Sequence, residues 1–198
     1  MDIAGRDAAQ LKAQDLGFVL GPRINAAGRM ETMDIGIECL LAEDYSSAYA
    51  LAQQLNQLNV ERRQVETQMK QDALTALAQF KLDETETPAA LILFEPHWHQ
   101  GVIGIVAGRL KEQFHRPAIV FAADDDGEHI KGSARSIEGI HIRDAIESVA
   151  EQSPHLVSHF GGHAAAAGLT IKKQHFDEFK QQFVQLIQTM DEALFQAT

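Results

Sequence analysis

Apolar and polar positions follow two clear periods along this chain. Between residues 45 and 80 the apolar side chains recur at alternating steps of three and four, through Ala48, Leu51, Leu55, Leu58, Val65 and Met69, with Arg62 set into the same seam. That spacing lines one face of a helix, and Asp44 stands where a carboxylate caps the first turn. The step changes to four, four and three through Ala73, Leu77 and Phe80. The change of step and the charge at Arg62 both break a strict heptad. The segment therefore predicts a connector about 50 Å long, packed against a domain at each end, rather than a coiled-coil arm. The polar run at 82–88 ends it.

Beyond residue 88 the pattern shortens. Residues 89–95 form a near-continuous apolar run, as in a strand buried on both faces. Residues 101–115 read as a helix with Val102, Val106, Leu110 and Phe114 inward, and with Gly104, Ala107 and Gly108 allowing close contact. A second buried strand follows at 118–122, so strand, helix and strand predict a right-handed parallel unit. The acidic triplet at 124–126 reads as a solvated turn. A strand at 130–137, a helix at 140–151 facing inward through Ile142, Ala145, Ile146 and Val149, and a short strand at 169–171 come next. A closing helix at 175–190 carries Phe176, Phe179, Phe183 and Met190 inward. The expected fold class is α/β, a mostly parallel or mixed sheet flanked by helices and preceded by a long connecting helix. Upstream, residues 4–15 read as a helix, 21–29 as a glycine-containing loop and 32–41 as a short helix. Residues 1–43 hold too little apolar surface for a core and are expected to dock on something else.

Composition narrows the class. A 45% hydrophobic and 23% charged chain is ordinary for a soluble protein, and neither a membrane-length apolar run nor an N-terminal signal is visible. The single Cys39, beside Leu40 and Leu41, predicts a buried structural thiol in a reducing cytoplasm. The net charge of −11 argues against a broad electrostatic nucleic-acid binder. An anionic ligand must meet a local basic patch.

Three runs carry candidate chemistry. Gly-Gly-His-Ala-Ala-Ala-Ala-Gly at 161–168 predicts a curled backbone presenting His163 at a turn, followed by a small-residue seam. The pattern fits a close ligand approach and a plain packing turn equally well. Gly-Ser-Ala-Arg-Ser at 132–136 lies on the strand where Lys131, Ser133 and Arg135 share a face. Two cations around a hydroxyl make a donor array suited to phosphate, with Gly132 leaving room for backbone approach. A solvated strand side explains the same pattern. Gly-Pro-Arg-Ile-Asn-Ala-Ala-Gly-Arg at 21–29 sets Arg23, Asn25 and Arg29 among small residues, with Pro22 fixing the turn and Gly28 permitting unusual dihedrals. These side chains suit backbone phosphates, or cap helices and tie loops. His155, His159 and His163 recur at intervals of four, but no cysteine is near and the glycine pair breaks the spacing, so no metal site is assigned. Trp98, in His-Trp-His at 97–99, either stacks on a base or covers an apolar edge. The following helix N-terminus is a weak anion site.

The order of these runs, with His-Trp-His-Gln-Gly-Val-Ile-Gly-Ile at 97–105 between the first and the glycine-serine strand, resembles the RecJ-type single-stranded-DNA exonucleases of the DHH phosphoesterase superfamily. The likeness runs along nearly the whole chain. The family's Asp-His-His metal motif is absent. The resemblance therefore implies a fragment: residues 1–44 the end of the catalytic domain, 45–81 the connecting helix, and 82–198 the DHH-associated domain. It implies 5′ to 3′ hydrolysis of single-stranded DNA to nucleotides. Mn2+ or Mg2+ would be held mostly by the missing catalytic domain of the same polypeptide, so the fragment alone is expected to be inactive. The substrate is single-stranded DNA and no membrane is involved. The resemblance assigns Ser133 and Arg135 to the 5′ phosphate, Arg29 first to DNA with Asn25 beside it and Arg23, a further candidate, as the more structural of the two arginines, and His163, with Gly161 and Gly162, to the scissile phosphate. Rival readings are an oligonucleotide phosphoesterase of the same superfamily, a non-catalytic RNA-binding module and a dimerising scaffold.

Overall fold

A computed structural model describes residues 2–80, 88–190 and 192–195. Of the polar run expected at 82–88, residues 82–87 lie outside the described residues, as do the side chains of Leu77 and Phe80. The chain divides into two compact units, Met1–Thr67 and Gln68–Thr198, with the boundary inside the long helix.

The first unit begins with broken turns. Short 3-10 turns at Asp2–Ala4 and Ala8–Gln10 are followed by a helical turn at Ala13–Asp15 and a π turn at Leu16–Leu20, where a continuous helix over 4–15 was expected. Gly5 has φ +67, which ends the first turn, and the segment has no buried face to hold a helix together. The next difference is larger. The expected loop at 21–29 is a helix, α1 (Gly21–Met30). Pro22 sits in its first turn, where a missing N–H costs nothing, and Gly28 is helical. Ala26 and Ala27 are fully buried against Leu55 and Leu58. Burial of that alanine pair outweighs the poor helix propensity of the glycines. α2 (Asp34–Leu41) follows.

The long helix α3 (Tyr45–Phe80) has the expected extent. Asp44 Oδ1 accepts from the Ser47 N–H at 2.9 Å and from the Ser46 hydroxyl. These bonds hold the Asp44 carboxyl well below the usual carboxylate range. Leu55, Leu58, Met69 and Ala73 of the predicted seam are buried. Arg62 lies along it, paired with Glu66 at 2.7 Å. Cys39 is half-buried with Sγ 3.8 Å from the Ala48 carbonyl. The thiol is thus less enclosed than expected, and its apolar neighbours Leu40 and Leu41 are exposed. All the exposed large apolar side chains among the described residues belong to this first unit.

The second unit holds a mixed five-stranded sheet. β1 (Leu91–Phe94) leads through α4 (Gln100–Phe114) to β2 (Ala118–Ala123) and β3 (His129–Arg135). α5 (Ile142–Gln152), β4 (His159–Gly162), β5 (Ala166–Lys172) and α6 (Phe176–Gln188) complete it. The strand order is β1-β2-β3-β5-β4. β1 and β2 are parallel, as the crossover helix requires, and the other neighbours are antiparallel. One face carries Ile92, Phe121, Ile130, Ala134, Leu169 and Ile171 into a core with Ile142, Ile146, Phe179 and Phe183 of α5 and α6. Phe121 meets Phe176 and Phe179 edge to face, with centroids 5.8 and 5.9 Å apart. Gly132 belongs to this face. A Cβ there would lie 2.6 Å from the Phe121 ring and 2.7 Å from Leu169. Its smallness therefore makes room for Phe121, not for a ligand.

No described helix is long and apolar enough to cross a membrane.

Candidate nucleic-acid interface

The opposite face of the sheet is covered by α4 over β2 and part of β3. There Val102, Val106, Ala107 and Leu110 are buried. Side chains alternate along β3, so Lys131, Ser133 and Arg135 all point to this face while Ile130 and Ala134 enter the core. The three side chains therefore share one strand face, as the alternation predicts. Its members differ in surroundings. Lys131 Nζ pairs with Asp124 at 2.8 Å, and Gln100 Nε2 reaches the same carboxylate at 3.3 Å. The Lys131 bond, then the Asp125 N–H, hold Asp124 below the usual carboxylate range, and the same pair raises Lys131. Ser133 and Arg135 are half-buried, and Arg135 Nη1 donates to the Ala134 carbonyl at 2.8 Å.

Past β3 the face opens. The register sets Ser133 beside Gly168 of β5, and Gly168 beside Gly161 of β4. Two residues along, or about 7 Å, Arg135 stands beside Ala166, and Ala166 O accepts from the His163 N–H at 2.8 Å. One row thus runs across the three strands, Ser133, Gly168 and Gly161, and in the adjacent row Arg135 and Ala166 are joined by His163 just past the end of β4. A third row, Lys131, Thr170, His159, bounds the floor on the other side. A shallow depression lies over this third row and the facing Gly161 and Gly168, with Ser133, Arg135 and His163 outside its lining.

The glycine pair is split in purpose. Gly162 has φ +147, and a Cβ on it would fall 2.4 Å from the Ala166 carbonyl oxygen, so the hairpin itself requires glycine. A Cβ on Gly161 would meet nothing within 4 Å. The turn also falls later than the glycine pair suggests: Gly161 and Gly162 end β4, and the chain reverses at 163–165 before β5. The alanines then dock on the β3–α5 connection. The Ala165 carbonyl accepts from the Ser136 N–H and the Ala164 carbonyl from the Ile142 N–H, each at 3.0 Å. His163 opens this turn and is exposed.

The remaining candidates, Arg23, Asn25 and Arg29, belong to the first unit. On α1, Asn25 and Arg29 are exposed and four residues apart, so they share a helix face. Arg23 is turned inward. Its Nε donates to Asn56 Oδ1 at 3.0 Å and its Nη1 to the Val19 carbonyl at 2.7 Å. Burial, then the nearby Arg63, lower its pKa.

Trp98 is buried, with Nε1 3.4 Å from Asp72 Oδ2. It covers an apolar edge and is closed to base stacking. The α4 N-terminus is capped by His99 Nδ1, which accepts from the Gly101 N–H at 3.0 Å. His155 pairs with Glu178. No group of three or more His, Cys, Asp or Glu able to hold a metal ion occurs among the described residues, so those residues do not fit a divalent-metal centre. Gly168 entered the sequence reading only as a packing residue. Its place opposite Gly161 follows from β4, a strand whose His-Phe-Gly-Gly sequence carries little strand propensity.

Residues 63–189 match the DHHA1 domain family. The chain is 49% identical over 187 residues to the single-stranded-DNA-specific exonuclease RecJ of Dickeya dadantii, covering 94% of this chain and 32% of that protein. It is 45% identical over 197 residues to the Escherichia coli protein of the same name, covering 99% and 34%. Among solved structures, exonuclease RecJ bound to manganese superposes with a TM-score of 0.80 at 30% identity, over 99% of this chain and 46% of that one. RecJ from Thermus thermophilus in complex with Mg2+ gives 0.79 at 30% identity, over 96% and 28%. The chain thus spans about a third of the length of the curated relatives it matches.

Proposed function

Because the chain belongs to the DHHA1 domain family, we propose that it supplies the substrate-holding face of a single-stranded-DNA-specific exonuclease that works from the 5′ end. The observation that carries this reading is the strand register, which sets Ser133 beside Gly168 and Gly161, and Arg135 beside Ala166, whose carbonyl accepts from the His163 N–H. Ser133 and Arg135 bind the terminal 5′ phosphate by charge-assisted hydrogen bonds. The His163 ring hydrogen-bonds the scissile phosphate and stabilises the charge that develops on it. The glycine floor lets the sugar-phosphate backbone lie on the sheet. Arg29 and Asn25 contact the strand from α1, while Arg23 fastens α1 to α3.

The hydrolytic centre belongs to residues other than those described. Mn2+ or Mg2+ held there supplies the Lewis acid and activated water of the intact enzyme. In this scheme residues 1–44 close a catalytic domain, 45–81 connect, and 82–198 form the binding module, working in the cytoplasm. The first unit's exposed apolar side chains support such a docking role.

Fluorescence anisotropy with 3′-labelled oligo-dT, with and without a 5′ phosphate, at two salt concentrations, tests the reading. With a net charge of −11 and few phosphate contacts, binding is expected to be weak, steeply salt-dependent and stronger for the phosphorylated end. Equal binding of both ends, or a preference for folded tRNA, overturns it.

A further inference from the structure

The segment 97–105 has no role in the scheme above, although it forms the first turns of the helix lying over Ser133 and Arg135. A Cβ built on Gly104 would stand 2.9 Å from Arg135 Nη2 and 3.3 Å from Ser133 Oγ. The helix backbone is therefore a wall of the phosphate site, and it approaches both donor side chains as closely as a missing methyl group allows. Gly108, one turn later on the same helix, has open space where a Cβ would be. The close approach is thus local to Gly104.

The start of the helix is fixed from two directions. Asp72 of α3 accepts from Trp98 Nε1 and lies 3.0 Å from His97 Nε2. Gln100 Nε2 donates to the Ala123 carbonyl at 2.8 Å, tying the first turn to the end of β2. A helix held at its start and bare at Gly104 presses on Arg135 with a defined clearance.

Resting on the proposed phosphate reading, we infer that Gly104 is a positioning residue. It keeps the Arg135 guanidinium and the Ser133 hydroxyl at the spacing that accepts one terminal phosphate. A methyl group at 104 displaces Nη2, the end of a flexible side chain, so the fold survives while the fork turns away from its ligand.

The experiment uses the whole 198-residue chain and 3′-labelled oligo-dT with a 5′ phosphate or a 5′ hydroxyl. Gly104→Ala is expected to lower affinity for the phosphorylated end about tenfold and to remove the preference over the hydroxyl end. Its melting temperature should hold or rise, since alanine favours a helix over glycine. Gly108→Ala should leave the preference intact. In an Arg135→Ala background Gly104→Ala should add no further loss, because the pair acts as one unit. If Arg135→Ala abolishes the preference but Gly104→Ala preserves it, the positioning role is wrong and the phosphate reading stands. If Arg135→Ala itself preserves the preference, the phosphate reading falls and the inference falls with it.

Discussion

Gly161 and Gly168 face each other across the β4–β5 ladder, and neither is glycine for the sake of the fold. A Cβ at Gly161 would meet nothing within 4 Å, and one at Gly168 only the Gly132 carbonyl oxygen at 3.9 Å. Glycine inside a strand costs roughly 0.5–1 kcal/mol relative to alanine, so the pair is unfavourable unless something else occupies that space. Gly168→Ala is expected to stabilise the chain by about that amount in thermal melts while weakening oligo-dT binding. Gly162→Ala should behave oppositely in stability, losing about 1–3 kcal/mol or more through its backbone conformation. A Gly168→Ala variant that is stabilised and binds normally would detach the floor from the ligand.

Arg135→Ala should cost more binding than Lys131→Ala. Lys131 is already paired with Asp124 at 2.8 Å and has a flexible stem, whereas Arg135 presents a planar fork held against Gly104. Losing one charge-assisted contact weakens binding by roughly 1.5–3 kcal/mol, or about ten- to a hundredfold. Affinity measurements on both variants, with melts to check folding, decide it. Near-native binding in both would leave the strand face structural.

Asp72 should make stability depend on acid pH. Its carboxyl is held below the usual range first by the hydrogen bond to His97, then by Gln68 Nε2 at 2.8 Å. A carboxylate whose folded pKa is depressed contributes stability above its unfolded value of about 3.9 and loses it as pH falls through the folded value. Asp72→Asn should therefore lower the melting temperature at pH 7, by about 1 kcal/mol in stability because the group is partly solvated. Wild type and variant should converge toward pH 2. A constant difference across that range would show that the asparagine acts through packing rather than charge.

The chain alone should not hydrolyse single-stranded DNA when supplied with Mn2+. No ligand cluster for a metal occurs among its described residues, and a divalent ion is the expected source of the activated water. Labelled oligo-dT incubated with purified protein should stay intact. Chelator-sensitive degradation that co-purifies with the chain and disappears in a His163→Ala variant would place the hydrolytic centre here.

Periodicity alone placed the long helix, because an apolar seam and an Asp44 cap are local properties that need no partner. The same holds for β1, α4 and β2, whose apolar runs are long enough to be buried wherever they pack. Alternation on β3 also set Lys131, Ser133 and Arg135 on one face. Other features depended on partners remote in the chain. The 21–29 segment reads as a loop until Ala26 and Ala27 find Leu55 and Leu58, and that burial makes it helical. Gly132 reads as a ligand approach until Phe121 fills the space above it. β4 has almost no strand propensity of its own and exists by pairing with β5. That pairing brings His163 into the row of Arg135 and sets Gly161 against Gly168. Residue types come from local sequence, but which of them share a floor is decided by register, and register is set by burial across the whole sheet.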